Sequence, residues 1–448
     1  MIKRIRSATG AAALTGALLL AAAPPASADY VRDREWVLDV FSVNDMWAQS
    51  QGEGVTVAVV DSGVDASHPD LSGQVLAGKD FTGGGNAQED LLGHGTAMAS
   101  LIAGHGHGVG NGSGVKGLAP KAKILPLRTL RTAADRNADE TWGAAVRYAV
   151  DHGAKVINLS FANDGGHTLS DGRQAIAYAQ AHDVVVVAGA GNDGFMRVSE
   201  PAALPGVVAV GAVDRNANVW EESNTGKRLT LMAPGVDIVA ANPKRSPQCG
   251  LSDGTSNATA YVSAAAALVR AKYPDLTAGQ VINRLIQSAS FLDHKGLKAP
   301  DEQYGYGILR PYSALKMNIP KGPEANPLGH IQLIDDAARS SESSGAKNKE
   351  ESSSMGAIVL LVAVIGLMAV IAVVTAMVIT RSRRNAGNGV PPNATYPHMG
   401  YPAQQPMPPG PPHPYPSQTP PEGYGYAAPP AQPPQQPNPY TQQPPYQG

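Results

Sequence analysis

Four polar residues in this sequence have the types that acyl-transfer chemistry uses, and each stands in a glycine-containing motif. They are Asp61 in Val-Val-Asp-Ser-Gly, His94 in Gly-His-Gly-Thr, Asn192 in Ala-Gly-Asn-Asp-Gly and Ser256 in Gly-Thr-Ser-Asn-Ala. A serine hydroxyl attacks well only when a base removes its proton, and imidazole titrates close enough to neutrality to accept and return that proton. A buried carboxylate can then hold the imidazole in the required tautomer and stabilise its charged form.

Acyl transfer also needs donors for the negative oxygen that develops on the attacked carbonyl. We expect Ser256 to begin a helix, where free backbone N–H groups and the positive end of the helix dipole favour that charge. The side-chain amide of Asn192 would supply a second donor. The small neighbours Gly93, Gly95 and Gly254 allow close backbone approach around the imidazole and the hydroxyl.

The segments that must position these residues alternate between strand and helix patterns. Residues 55–60 are β-branched and bounded by Gly54 and Asp61, which is typical of a strand buried on both faces. The same pattern recurs at 123–130, 155–160, 183–188 and 207–213, with helix-period segments at 96–103, 140–151 and 172–181. An Ala-rich helix is predicted at 257–273, and another at 278–287 follows the capping-box spacing of Thr277 and Gln280.

This alternation indicates βαβ units and therefore an α/β fold, with a mostly parallel central sheet and helices on both faces. Sites in open parallel sheets form beyond the carboxyl ends of the strands, where helix N-termini converge. Asp61 and Asn192 each follow a predicted strand, whereas His94 and Ser256 each begin a predicted helix. We therefore expect all four residues to meet at one edge of the sheet.

Taken in the order Asp, His, Ser, the four motifs resemble those of the subtilisin-like serine proteases over roughly residues 52–290. The resemblance implies that Ser256 is the nucleophile, His94 the general base, Asp61 the residue that orients it and Asn192 the oxyanion donor. It also implies that Ser160, Phe161 and Ala162 form the strand that pairs with the substrate backbone beside the primary pocket. Within the family the chain is most similar to the mycosins, membrane-anchored members associated with type VII secretion.

The sequence departs from the family pattern at several positions that affect the pocket more than the triad. Ala260 stands where proline is usual, residues 97–100 differ from the usual His-Val-Ala-Gly, and Ala162 with Asn163 replaces a segment where glycine is common. Mycosins commonly have disulfides, which this chain cannot form because it has a single cysteine. Its proline-rich tail is also atypical of mycosins. Residues 29–54 are too few for a folded inhibitory pro-domain, so we expect 29–53 to pack on the outside of the enzyme.

The first 28 residues have the organisation of a secretory signal peptide. Lys3, Arg4 and Arg6 precede an apolar run at 11–23, and small residues end the segment at Ala28. A membrane helix is the weaker interpretation because 13 apolar residues are too few to cross about 30 Å of hydrocarbon.

A second apolar run, at 355–380, contains no charged residue and is long enough to span a bilayer. The arginines that follow at 381–384 predict a cytoplasmic tail, with the rest of the mature chain outside the cell. A buried core helix is the alternative. More than half of the 37 prolines lie in the tail, so we expect 381–448 to be disordered.

These boundaries divide the chain into six parts. They are a signal peptide (1–28), an N-terminal extension (29–53), a subtilisin-like peptidase domain (54–317), a flexible Ser/Glu-rich stalk (318–354), one transmembrane helix (355–380) and a cytoplasmic tail (381–448).

Composition excludes several other classes of protein. A net charge of −2 argues against a nucleic-acid partner, which usually requires a basic surface. The single cysteine, Cys249, excludes an intramolecular disulfide and a multi-thiolate metal site, and we expect it to be a small, partly buried apolar residue rather than a nucleophile.

Other motifs carry weaker signals. His105 and His107 are compatible with a metal site, but no carboxylate has matching spacing, so we expect a solvated loop. The spacing of glycines at 112–117 matches a dinucleotide fingerprint, yet it precedes a strand and fails the required context. The carboxylates Asp65, Asp70, Asp80 and Asp90 show no calcium ligand loop and are expected to be turn residues; no partner can be assigned to His68 or the remaining histidines.

The sequence therefore predicts a secreted, membrane-anchored serine endopeptidase that cuts polypeptides through an acyl-enzyme and needs no metal or other cofactor. Its partners would be a polypeptide substrate, the membrane and type VII secretion machinery. One alternative is a structural component of a membrane secretion complex with little turnover. A general α/β hydrolase is disfavoured because residues 254–258 lack the second glycine of Gly-x-Ser-x-Gly and the triad order differs.

Overall fold

The computed structural model describes residues 31–132, 139–163, 168, 170–245, 248–292 and 294–332. In chain order the elements are α1 (Trp36–Val40), α2 (Val43–Trp47), β1 (Thr56–Asp61), β2 (Lys79–Asp80), α3 (His94–Ala103), β3 (His105–His107), β4 (Ser113–Lys116), β5 (Lys123–Arg128), α4 (Asp139–Asp151), β6 (Val156–Leu159), α5 (Ser170–Ala181), β7 (Val185–Gly189), β8 (Val208–Val213), β9 (Leu231–Pro234), β10 (Ile238–Ala241), β11 (Cys249–Ser252), α6 (Thr255–Lys272), α7 (Ala278–Ser288) and α8 (Pro311–Lys316).

Seven strands form one central sheet in the order β2-β5-β1-β6-β7-β8-β9, and every neighbouring pair in it is parallel. The residues of β7 and β8 are buried throughout, which is the pattern of a parallel sheet covered on both faces. The predicted α/β class and mostly parallel sheet are confirmed. Two short antiparallel hairpins, β3–β4 and β10–β11, lie outside the sheet.

The helix α6 is the central helix of the domain and packs against β6, β7, β8 and β9. Its run of alanines from Ala264 to Ala267 is buried, and such small side chains let the helix lie close to the strands. The helix continues without a break through Ala260, where the family usually has proline. The predicted capping box at the start of α7 is present: Thr277 accepts from the backbone of Gln280, and Gln280 accepts in return.

The N-terminal segment 31–53 packs against the rest of the domain through α1 and α2. Trp36, Phe41 and Met46 are buried, and the ring of Phe41 meets Tyr261 of α6 edge-on with centroids 6.2 Å apart. The indole N–H of Trp47 donates to the carbonyl of Leu118 at 2.9 Å.

Residues 318–332, the first part of the segment predicted to be a stalk, also lie against the domain. Gly206 donates its N–H to Leu328 O, Asn326 donates its side-chain amide to Gly206 O, and Gln180 accepts from the N–H of Ile331. Ile331 is buried, which explains why this polar, proline-containing stretch is held.

The predicted signal peptide, the rest of the stalk (333–354), the transmembrane helix at 355–380 and the tail lie outside the described residues. Within the part of the chain that the structure describes, no helix combines the length and hydropathy needed to cross a bilayer.

Candidate active site

The strand β1 and the helix α3 bring Asp61 and His94 together. Asp61 ends β1 and is fully buried, and its two carboxylate oxygens each lie 2.9 Å from Nδ1 of His94, the first residue of α3. The first turn of α3 can approach so closely because residue 95 is glycine: a Cβ there would lie 2.0 Å from the carbonyl oxygen of Gly63. The carboxylate therefore fixes the orientation and tautomer of the imidazole.

A second buried carboxylate, Asp90, holds the loop that leads into α3. It accepts five hydrogen bonds at 2.6–3.0 Å, from the hydroxyls of Ser62 and Thr96 and from the backbone N–H groups of Leu92, Gly93 and Thr96. Ser62 follows Asp61 directly, so Asp90 joins the acid and the imidazole segments. The bonds to the N–H groups of Leu92 and Gly93 agree with the prediction that Asp90 is a turn residue, but the sequence did not reveal its link to Ser62, which lies 28 positions earlier in the chain.

The hydroxyl of Ser256 lies at the start of α6 and faces the end of β6. Its Oγ donates to the carbonyl of Ser160 at 3.0 Å, and the hydroxyl of Ser160 donates to the carbonyl of Ser256 at 3.2 Å. A buried network supports Ser160, since Asn158 donates to its hydroxyl at 2.8 Å and accepts from Ser263 of α6 at 2.9 Å. These bonds fix the segment that carries Ser256 to the sheet.

Asn192 follows β7 and turns its side chain toward the first residue of α6. Its Oδ1 accepts from both the N–H of Thr255, at 2.9 Å, and the hydroxyl of Thr255, at 2.8 Å. With the oxygen held in this way, the NH₂ end of the amide is the donor that Asn192 can offer to the cavity. Nothing in the sequence marked Thr255 as the residue that orients Asn192.

One cavity of about 400 Å³ unites the predicted residues. His94, Asn192, Ser256 and the segment from Ser160 to Ala162 all line it, while Asp61 lies buried behind His94. Phe161 is itself largely buried, with its ring centroid 5.8 Å from that of Trp142. The β10–β11 hairpin also contributes to the lining.

Two residues that sequence reasoning left without a role hold this hairpin. The side-chain amide of Asn257 donates to the carbonyls of Ser252 at 3.1 Å and Gly235 at 3.3 Å. The buried His68 contacts the carbonyl of Gln248 through Nε2 at 2.9 Å, while its Nδ1 accepts from the N–H of Asp70. The sequence carries no signal for these contacts because these partner atoms belong to the backbone, which every residue possesses.

The prediction of a solvated loop at His105 and His107 is wrong. Both residues belong to β3, which pairs with β4, and Nδ1 of His107 lies 2.5 Å from the buried carboxylate of Asp70. No set of three or more His, Cys, Asp or Glu side chains within the described ranges is arranged to hold a metal ion. Cys249 is partly buried, as expected, and burial raises the pKa of its thiol, which disfavours the nucleophilic thiolate.

Residues 52–307 match the family model of Peptidase S8, the subtilase family. The chain belongs to the subtilase family. Subtilisin DY of Bacillus licheniformis is 37% identical over 259 residues, which cover 55% of this chain and 89% of that protein. Thermitase of Thermoactinomyces vulgaris is 37% identical over 244 residues, or 54% of this chain and 83% of thermitase.

Solved structures of mycosins are similar to this subtilase as well. MycP1 from Mycobacterium smegmatis is 28% identical with a TM-score of 0.58, covering 69% of this chain and 91% of MycP1. The MycP3 protease from the type VII (ESX-3) secretion system is 32% identical with a TM-score of 0.54, and the match covers 63% of this chain and 88% of MycP3. The predicted resemblance to subtilisins and mycosins is confirmed, and the chain is a serine endopeptidase.

Proposed function

We propose that this subtilase is a secreted, membrane-anchored endopeptidase whose nucleophile is Ser256. The observation that carries the proposal is the contact of the buried Asp61 with Nδ1 of His94, which lines a cavity together with Ser256 and Asn192. This is the arrangement that a serine needs in order to lose its proton while it attacks a carbonyl.

The reaction proceeds in two halves. The Ser256 hydroxyl turns from the Ser160 carbonyl to Nε2 of His94, gives up its proton there and bonds to the carbonyl carbon of the peptide. The resulting oxyanion accepts from the backbone N–H of Ser256 and from the amide of Asn192. His94 returns the proton to the leaving amine as the C–N bond breaks, and water then hydrolyses the acyl-enzyme by the same route.

Anchoring and a link to secretion form the second part of the proposal. The signal peptide at 1–28 and the apolar span at 355–380 support an extracellular peptidase domain with a cytoplasmic tail. The similarity to MycP3, described as a protease from a type VII secretion system, supports an association with that machinery. A structural component of the same complex with little turnover is the competing function.

A fluorophosphonate probe tests the nucleophile, because it bonds covalently only to an activated serine. We expect it to label the purified full-length protein and Ser72→Ala, which replaces an exposed serine outside the cavity. Ser256→Ala should abolish labelling. If the folded wild-type protein stays unlabelled, the structural alternative replaces the enzyme.

A further inference from the structure

The β10–β11 hairpin forms one wall of the cavity, through residues 240, 241 and 250–252. Ser256 directs its hydroxyl to Ser160 on one wall, while the next residue, Asn257, is bonded to Ser252 at the end of β11 on the other. In the proposed reaction the acyl half lies over residues 160–162. The residues that follow the scissile bond therefore pass along β11.

Two adjacent cations, Lys244 and Arg245, stand in the turn of this hairpin, and both side chains are exposed. Arg245 lines the cavity and lies along β11: its Cδ is 3.2 Å and its Nη1 3.5 Å from the place that a Cβ on Gly250 would occupy. Lys244 approaches the loop before His94, with Cγ 3.5 Å from the Cβ position of Gly93. The pair thus brings positive charge to this wall rather than to a remote surface.

Neither cation forms an ion pair with a residue that the structure describes. Two carboxylates line the same cavity. Asp253 accepts from the backbone N–H of Asp237 at 2.7 Å and follows β11, and Asp193 follows Asn192, so both carboxylates keep their charge but lie outside the turn between β10 and β11. The hairpin turn is therefore left with a net positive charge.

Apolar surface lies beside the cations. Leu92 and Leu251 line the cavity, and each is 38% exposed, which is high for a large apolar side chain. A substrate side chain that covers them would remove apolar surface from water. The wall consequently offers one apolar patch and one cationic patch to a peptide.

We propose that Arg245, assisted by Lys244, selects substrates that carry a carboxylate on the leaving-group side, beyond an apolar residue that covers Leu92 and Leu251. Because an extended peptide advances about 3.3 Å per residue, the distance along β11 from Ser252 to Gly250 places the carboxylate about two or three residues after the cut. This inference rests on the proposed function of Ser256 and adds a substrate class to it.

Matched internally quenched peptides test the selection. They differ only at the second or third residue after the cut, which is Glu, Gln or Lys. We expect the full-length protein to cleave the Glu peptide with a kcat/KM about two- to fivefold above the Gln peptide, and the Lys peptide more slowly still. The differences should shrink as sodium chloride is added, because the pairs are exposed.

Variants test whether the preference for the Glu peptide comes from the cations of the hairpin turn. Arg245→Gln should reduce the Glu/Lys ratio of kcat/KM, and the double variant Lys244→Glu with Arg245→Glu should invert it. The control is Arg147→Gln, which removes a partly buried arginine of α4 that contacts Gln174 and Tyr178 and does not line the cavity. It should leave the ratio unchanged.

The outcomes separate the two proposals. If the wild-type protein takes up the fluorophosphonate but cleaves the Glu and Lys peptides equally at low salt, or if charge reversal leaves their ratio unchanged, the selection by Arg245 is refuted and the peptidase stands. If Ser256 is not labelled, the proposed nucleophile fails. In that case the Kd values of Ser256→Ala for the same peptides test the proposed role of Arg245 without turnover. Equal Kd values for the Glu and Lys peptides would refute that role.

Discussion

At the scale of single residues, the site depends on groups that orient the reacting side chains. An asparagine amide can present either its oxygen or its NH₂ group, and only the NH₂ group can stabilise an oxyanion. Thr255 decides between them, because its N–H and its hydroxyl both donate to Oδ1 of Asn192. We therefore regard Thr255 as a positioning residue for the reaction.

Thr255→Val tests this role, since it keeps the shape of the side chain and removes one of the two donors. Losing a net contribution of about 1 kcal/mol should lower kcat about fivefold. KM for a short peptide should change little, because the oxyanion exists only in the transition state. Thr255→Ser should restore most of the rate. A rise in KM with unchanged kcat would contradict the assignment.

At the scale of elements, one buried carboxylate joins the N-terminal segment to β4. Glu35, directly before α1, accepts from the N–H of Lys116 at 2.6 Å and is paired with Arg32. Arg32 in turn reaches the carbonyls of Asn111 and Gly112 at 3.4 Å. Burial raises the pKa of Glu35 from 4.5 to about 7, because the loss of solvation outweighs the attraction of Arg32.

The raised pKa of Glu35 makes the stability of the folded domain depend on pH. The folded state binds the proton of Glu35 more tightly than the unfolded state does. The contribution of this proton to the free energy of unfolding is therefore fully present below about pH 4.5 and is lost as the pH rises through about 7. From pH 5 to pH 8 the free energy of unfolding should fall by about 2 kcal/mol in wild type relative to Glu35→Gln.

Denaturant unfolding of the purified protein, with Ser256→Ala in every sample to prevent self-digestion, measures this difference. Glu53→Gln is the matched control, because Glu53 belongs to the same segment but is half exposed and pairs with Lys121 at the surface. The free energy of unfolding of Glu53→Gln should change with pH in the same way as that of wild type. Parallel curves for Glu35→Gln and wild type would show that Glu35 stays ionised in the fold.

At the scale of the whole molecule, sequence predicts those parts of the fold that local patterns specify. The strands β1, β5, β6, β7 and β8 were predicted because each is an apolar run that the sheet buries on both faces. By contrast, β2 has two residues, Lys79 and Asp80, and exists only because it pairs with β5. Neither apolar pattern nor alternation marks so short a strand.

The same limit applies to the site. The predicted triad residues and Asn192 stand in motifs of adjacent residues, which a reader of the sequence can recognise. The residues that support the site do not stand in such motifs. The ring of His68 contacts the backbone carbonyl of Gln248, which lies 180 positions away, and every residue possesses such a carbonyl. Positions held through backbone atoms leave no mark of residue type, so only the folded chain reveals them.

The proposed membrane anchor also concerns the whole molecule, and truncation tests it. A chain that ends at Ser354 keeps the predicted signal peptide and the peptidase domain but lacks the apolar run, so we expect it to be released into the medium. A chain that ends at Asn388 keeps the run and the arginines at 381–384 but loses most of the tail, and it should stay in the membrane fraction.

The positive-inside rule further predicts the orientation of the full-length chain. External protease applied to intact cells should leave an epitope placed after Gly448 undigested, because the arginines at 381–384 hold that end in the cytoplasm, and should digest it once the membrane is permeabilised. Release of the full-length chain into the medium would show that residues 355–380 do not span the bilayer. Digestion of the epitope on intact cells would instead refute the orientation, since it requires the tail to lie outside.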